Sequence, residues 1–326
     1  MLCTGRLFLT RCGCCLLAAM MFAAAGVASA QEPSVSAGPQ FAPGVLTTIE
    51  PNIDPVDTVG VHDVVELRSD ATLSREPLLN AKSRTLYEMS QQVPFRREVW
   101  CLELSFKPLR MMVVDIPQAS GKMQRKLVWY LVYRVRNTGV AIAPVEQDDG
   151  NFTTINAAAQ PHRFIPQFVL ASQDTDSQGN RVRKEYLDRI VPAAMPAIQR
   201  REMPRGELLN SAEMAEQVLE PENGRMLGGL WGVAIWEDVD PEIDFFSVFV
   251  GGLTNAYRWQ DAPEGFRAGD PSGKGRTFLR KTLQLNFWRP GDELAENERE
   301  IRFGAAPRRA AAYGTTEGVA YRWVYR

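Results

Sequence analysis

Twelve residues in mid-chain, DTDSQGNRVRKE from Asp174 to Glu185, carry acids at the spacing of a calcium loop. Calcium takes about six to eight oxygen ligands, and the loop that supplies them reads D-x-[DN]-x-[DN]-G-x5-E. Asp174, Asp176, Gly179 and Glu185 fit this pattern. Gln178 replaces a carboxylate, and Arg181 places a cation at the eighth position. Helices must flank such a loop, yet FIPQFVLAS before it contains Pro166 and β-type residues, and IVPAAMP follows. The expected structure is a hairpin turning at Asp176 to Asn180 between strands FVLAS and RVRKEYL. Asp174, Asp176 and Glu185 as calcium ligands are the alternative.

The densest acidic cluster is WEDVDPEID, with Glu237, Asp238, Asp240, Glu242 and Asp244. Such carboxylates repel one another unless a cation or solvent relieves them, so a calcium site is one reading. An acid/base pair for glycoside hydrolysis is another, since that chemistry needs two carboxyls about 5 to 10 Å apart. The plainer reading is a solvated turn at Pro241 between two apolar strands.

Other constellations are incomplete. His62 and His162 are the only histidines, so no zinc signature such as H-E-x-x-H exists. Cys101 sits in mid-strand, where a thiol is structural rather than nucleophilic. The G-x-S-x-G elbow of esterases is missing. GDPSGKGRT around Lys274 has three residues instead of four between its first two loop glycines, and Gly275 stands in place of the magnesium-binding Ser/Thr. Asn151-Phe152-Thr153 is a glycosylation triplet. No catalytic, cofactor-binding or metal-binding residue is assigned from the sequence.

Strands are the elements that must carry these residues. In EVWCLELSFK, Trp100, Leu102, Leu104 and Phe106 alternate with polar or small residues at the period of two of a half-buried strand. LRMMVVDIP follows. KLVWYLVYRVRNTG reads as covered on both faces in its first half and wet on one face in its second. Further strands are expected in Arg163 to Ser172, Leu230 to Glu237, Asp244 to Leu253, Arg280 to Arg289 and Gly318 to Arg326. Helices are expected at Ser83 to Gln92 and after Asn210, which forms a capping box with Glu213. Ten strand aromatics, among them Trp100, Trp129, Trp236 and Trp323, are expected mostly in the core, with some free to line a binding face.

The first thirty residues combine Arg6 and Arg11 with an apolar run from Cys14 to Val27 and end in Ala28-Ser29-Ala30, the pattern of a cleaved secretory signal. Residues 31–58 are rich in Pro, Ser, Gly and Thr and read as a flexible arm. No later segment reaches the about 20 apolar residues of a membrane-spanning helix. With Arg6 and Arg11 removed, thirty-five Lys and Arg stand against thirty-nine Asp and Glu, a formal charge of −4. The interspersed charges argue against a nucleic-acid partner. Only Cys101 remains of five cysteines, so the mature fold rests on its core and not on internal disulfides.

FRREVWCLELSFKPLRM, KLVWYLVYRVRNTG, FIPQFVLAS, IVPAAMPAIQRREMP, DFFSVFVGGLTNAYRW, LRKTLQLNFWRPGDE and YRWVYR together resemble a family of exported, uncharacterised proteins from planctomycete-type bacteria. That resemblance covers most of the mature chain and implies no activity. YRVRNTG is similar to a strand-to-turn pattern of immunoglobulin-like envelope domains. The expected fold is therefore mainly β, an immunoglobulin-like sandwich over residues 59–326 with one or two short helical insertions, or two packed sub-domains. The expected function is a non-enzymatic binding or structural module of the cell envelope, periplasmic or extracellular, with an envelope protein or carbohydrate as partner. A carbohydrate-active hydrolase built on residues 237–244 and a calcium-dependent adhesion or folding module are the alternatives.

Overall fold

A computed structural model describes residues 45–60, 94–176, 178–222, 228–261, 275–290 and 300–326. The expected signal segment, the Ser83 helix, His62 and the stretch through Lys274 lie outside them. All described residues belong to one compact unit, Ala37–Arg326. Strands take 46% of the described residues and helices 10%, which places the fold in the mainly β class.

The chain begins with β1 (Thr47–Ile49), β2 (Val59–Gly60), β3 (Phe95–Arg96), β4 (Val99–Trp100) and β5 (Glu103–Phe106). It continues through β6 (Arg110–Pro117), β7 (Met123–Arg136), β8 (Ala141–Glu146) and β9 (Phe152–Asn156). β10 (Gln167–Ser172) and β11 (Glu185–Leu187) precede the helices α1 (Met195–Glu202) and α2 (Ser211–Glu216). β12 (Leu230–Glu237), β13 (Phe245–Gly251), β14 (Tyr257–Asp261), β15 (Arg276–Trp288), β16 (Arg302–Phe303) and β17 (Tyr321–Tyr325) follow.

Two large antiparallel sheets result. The first runs β1-β5-β7-β12 with β6 also on β7, and the second β11-β10-β13-β15-β14 with β16 and β17 also on β15. They share one core. Trp129, Leu131, Tyr133 and Val135 of β7 meet Phe168, Phe246, Val248 and Phe287 from the second sheet. The Trp129 and Phe246 rings meet edge to face at 5.3 Å, and Tyr133 lies 4.7 Å from Phe168. Such offset aromatic pairs add to the gain from apolar burial itself.

The alternate residues of β7, Val128, Tyr130 and Val132, enter a second apolar cluster with Ala194, Ile198 and Leu208. The α1 segment thus covers the outer face of the first sheet, so β7 is buried on both faces at its centre. Glu202 pins this cover: its nearly buried carboxylate accepts from Tyr130 Oη at 2.9 Å and lies 3.4 Å from Arg110 and 3.7 Å from Lys107. α1 was not expected, because Pro196 and the prolines around it read as helix breakers. Pro is tolerated in the first helical turn, where its missing N–H costs nothing, and that is where Pro196 stands.

The helix after Asn210 forms as expected. Asn210 Oδ1 accepts from the N–H groups of Ala212 and Glu213 at 2.9 and 3.0 Å, and Glu213 returns a carboxylate to the Asn210 N–H. Asn210→Ala should lower stability by about 1 kcal/mol, read as a shifted denaturant midpoint at unchanged slope.

Two expectations are corrected. EVWCLELSFK is two strands, since β4 pairs β8 while β5 pairs β1 and β7, with the break where Leu102 N–H donates to Leu253 O at 2.8 Å. The end of the expected arm is also ordered. Ile49 in β1 is 1% exposed, and a 3-10 turn at Pro55–Thr58 buries Asp57. Composition hid this because the anchoring residue is a charge. Among the described residues no helix is long and apolar enough to cross a membrane.

Candidate functional site

The DTDSQGNRVRKE stretch is a hairpin, as expected. Thr175 bridges Arg181, and Glu185 of β11 faces Ala171 of β10. Asp176 builds the turn: its Oδ1 accepts from the N–H groups of Gln178 and Asn180 at 2.9 and 2.8 Å, while Gly179 takes the left-handed conformation at φ 83°. The Asn180 N–H holds the Asp176 carboxyl below its usual range. Asp174 accepts from Phe245 N–H and Ser172 Oγ, each at 2.9 Å. Glu185 Oε1 lies 3.5 Å from Arg326. The three acids therefore do three separate jobs. Among the described residues no group of three or more His, Cys, Asp or Glu is placed to hold a metal.

What the hairpin contributes to a concave surface is its cations. Arg181 and Arg183 join Arg322, Arg326 and Glu185 around a cleft of about 290 Å³ on the outer face of the second sheet. Strand register sets its floor. Phe249 faces Gln284, and Gln284 faces Arg322, in a row across β13, β15 and β17; Ser247 faces Asn286 one step along. The inward residues Leu283, Leu285 and Phe287 go to the core, which leaves Thr282, Gln284 and Asn286 on this outer face.

These polar groups are buried and bonded to one another. Ser247 Oγ donates to Asn286 Oδ1 at 2.9 Å, and Gln284 Nε2 donates to Asn286 Oδ1 at 2.9 Å and to Tyr313 O at 3.2 Å. Asn286 Nδ2 donates to Val319 O at 2.9 Å. Satisfied networks of this kind are rigid, because a half-made one leaves costly orphans. They orient Arg322. Its Nε donates to Gln284 Oε1 at 2.8 Å, and its terminal nitrogens donate to Gly314 O and Tyr313 O at 2.6 and 2.8 Å.

The carbonyls of Tyr313 and Gly314 come from a 3-10 turn, Ala310–Tyr313, anchored by Tyr313 Oη donating to Phe287 O at 2.9 Å. Gly314 ends this turn at φ 72°, and both Arg322 and Arg181 bring a terminal nitrogen within 4 Å of where a Cβ would stand. Two guanidinium groups thus approach one point. Among the described residues, Arg181, Arg183 and Arg322 form no ion pair with an acid. Burial, and then the Arg181 charge, pull the Arg322 pKa down, the sign expected of a cation short of a counter-ion.

Elsewhere the acidic cluster meets its own lysines. Lys126 of β7 stands 3.4 Å from Glu237 and 3.0 Å from Asp238, and Lys184 of the hairpin pairs with Asp240. The Lys184 hydrogen bond is the main cause of the lowered Asp240 pKa. Asn151 lies in the exposed β8–β9 turn and donates to Asp149 at 2.9 Å.

Cys101 is 1% exposed, and burial pushes its thiol up to about 11. Native protein should resist thiol reagents at neutral pH and react only on unfolding, followed as mass gain against denaturant. His162 stacks on Trp100 at 4.2 Å and 15°. Burial, opposed by Glu98, lowers its pKa from 6.5. The neutral ring is therefore the favoured form, and its contribution is complete above pH 6.5 and lost as pH falls through the lower folded value. A denaturant midpoint that falls between pH 7 and pH 5 should fall less in His162→Phe.

Trp129, Tyr130 and Trp236 are core, Trp100, Trp231 and Trp323 pack at its margins, and Tyr321 is 41% exposed. Sequence reading missed the arginine cleft. Its one visible trace was the polar alternation Thr282-Gln284-Asn286 within an otherwise apolar strand. Family models, curated proteins and solved structures give no match to this chain.

Proposed function

We propose that this chain is an exported, non-enzymatic binding module of the cell envelope whose ligand places an anionic group in the arginine cleft. One observation carries the reading: Arg181 and Arg322 converge in a cleft that Arg183 also lines, none of the three has an acid partner among the described residues, and a buried amide network holds Arg322 in place. Guanidinium groups present paired donors that suit carboxylate and phosphate oxygens, and a preoriented one loses little entropy on binding. Export rests on the signal-like first thirty residues. Kinship with the exported planctomycete-type family and an immunoglobulin-like sandwich belong to the same proposal, the latter supported by two antiparallel sheets packed through one core. The hydrolase alternative draws less support, since Glu237, Asp238 and Asp240 are each engaged by a lysine.

Thermal melting with citrate, against sodium chloride at matched ionic strength, tests the reading. A ligand that binds only the folded state raises the midpoint by mass action. Citrate should raise it in the native chain and not in Arg181→Ala/Arg183→Ala, whose exposed side chains contribute little to folding. The same rise in both proteins would refute the cleft as an anion site.

A further inference from the structure

The cleft has two unlike ends, and this inference rests on the anion-binding reading above. Arg181, Arg183 and Arg322 supply donors without a carboxylate, whereas Glu185 supplies a half-exposed carboxylate beside Arg326. Arg326 is held over the sheet by stacking on Phe249, 4.1 Å from guanidinium to ring centre. The lining also includes Val324 and Gln173. We infer that the ligand is a sugar acid, with its carboxylate between Arg181 and Arg322 and its hydroxyls donating to Glu185.

Each feature excludes a competitor. A bare phosphate or sulfate gains from the arginines but gives Glu185 nothing to accept, and its charge is repelled there. A zwitterionic amino acid would satisfy both ends, yet four arginines against one acidic side chain favour a ligand with net negative charge. A sugar acid has one carboxylate, several hydroxyl donors and a C–H face to lie against Val324, which shares the outer face with Gln284 and Arg322. The volume of about 290 Å³ lies near the lower limit of ligand pockets, the scale of one sugar ring.

The test is a sign. Calorimetric titration with galacturonate, its methyl ester and galactose should show galacturonate binding at least about tenfold tighter than the other two, the effect of one charge-assisted pair. Glu185→Ala should weaken galacturonate binding several-fold while strengthening that of sulfate, because removing Glu185 takes a hydroxyl acceptor from one ligand and a repulsive charge from the other. Glu185→Gln should fall between. If Glu185→Ala strengthens both, Glu185 is only a competing counter-ion and the sugar-acid inference fails while anion binding stands. If Arg181→Ala/Arg183→Ala binds galacturonate and sulfate as the native chain does, the underlying reading fails as well. Glutamate binding tighter than galacturonate would also overturn the inference. Equal affinity for galacturonate and its trimer identifies the free sugar acid as the source, and a tighter trimer identifies a polysaccharide, both supporting the same chemistry.

Discussion

Asp57→Ala should destabilise the protein by about 3 to 5 kcal/mol, the range for removing one partner from a buried ion pair. The Asp57 side chain is fully buried, and it accepts from Arg258 Nε at 3.0 Å, from Tyr325 Oη and from Lys281 Nζ at 3.5 Å. Lys281 has 3% of its side chain exposed, so without Asp57 an ammonium stays in the interior with no other ion-pair partner among the described residues. Asp57 thereby ties the N-terminal segment to β14, β15 and β17. Loss should appear as a lower guanidinium midpoint and as faster amide exchange in β1. Adding Lys281→Met to Asp57→Ala should recover part of the loss, because an apolar side chain of similar length needs no partner. An unchanged midpoint in the single variant would mean that the network is solvated in solution.

Arg322→Ala should have a double effect. Gln284 Oε1 loses its donor in a residue 2% exposed, and an orphaned buried acceptor costs about 1 to 3 kcal/mol. Anion affinity should fall at least about tenfold, as one charge-assisted contact is worth about 1.5 kcal/mol or more. Arg322→Lys should not restore it. An ammonium cannot donate in the plane of Gln284 Oε1, Tyr313 O and Gly314 O at once while still facing a ligand. Calorimetry of both variants, each checked for a cooperative melt, separates binding loss from unfolding.

Much of the strand framework was legible, for a local reason. Alternation in β7, apolar runs in β12 and β13 and the Leu283-Leu285-Phe287 series in β15 are each set by neighbours two residues apart. Asn210 and Glu213 were readable in the same way, since a capping box spans one turn. What stayed hidden depends on distant partners. α1 exists because its apolar face covers Val128, Tyr130 and Val132, a tertiary gain that outweighs a proline-rich context. Residues 47–58 are held by Asp57 contacts with residues some two hundred positions away, which composition does not register.

The site was hidden most deeply. DTDSQGNRVRKE drew attention for its acids, but Asp174 and Asp176 are consumed in folding the hairpin, and its arginines face the cleft. Only the register that sets Gln284 opposite Arg322, together with the turn at Tyr313, brings those arginines to a common point.

The most direct measurement is a crystal structure of the protein soaked in selenate, with the anion located by anomalous scattering. A selenium peak is expected within hydrogen-bonding reach of both Arg181 and Arg322. A well-occupied peak elsewhere, with the cleft holding water alone, would contradict it.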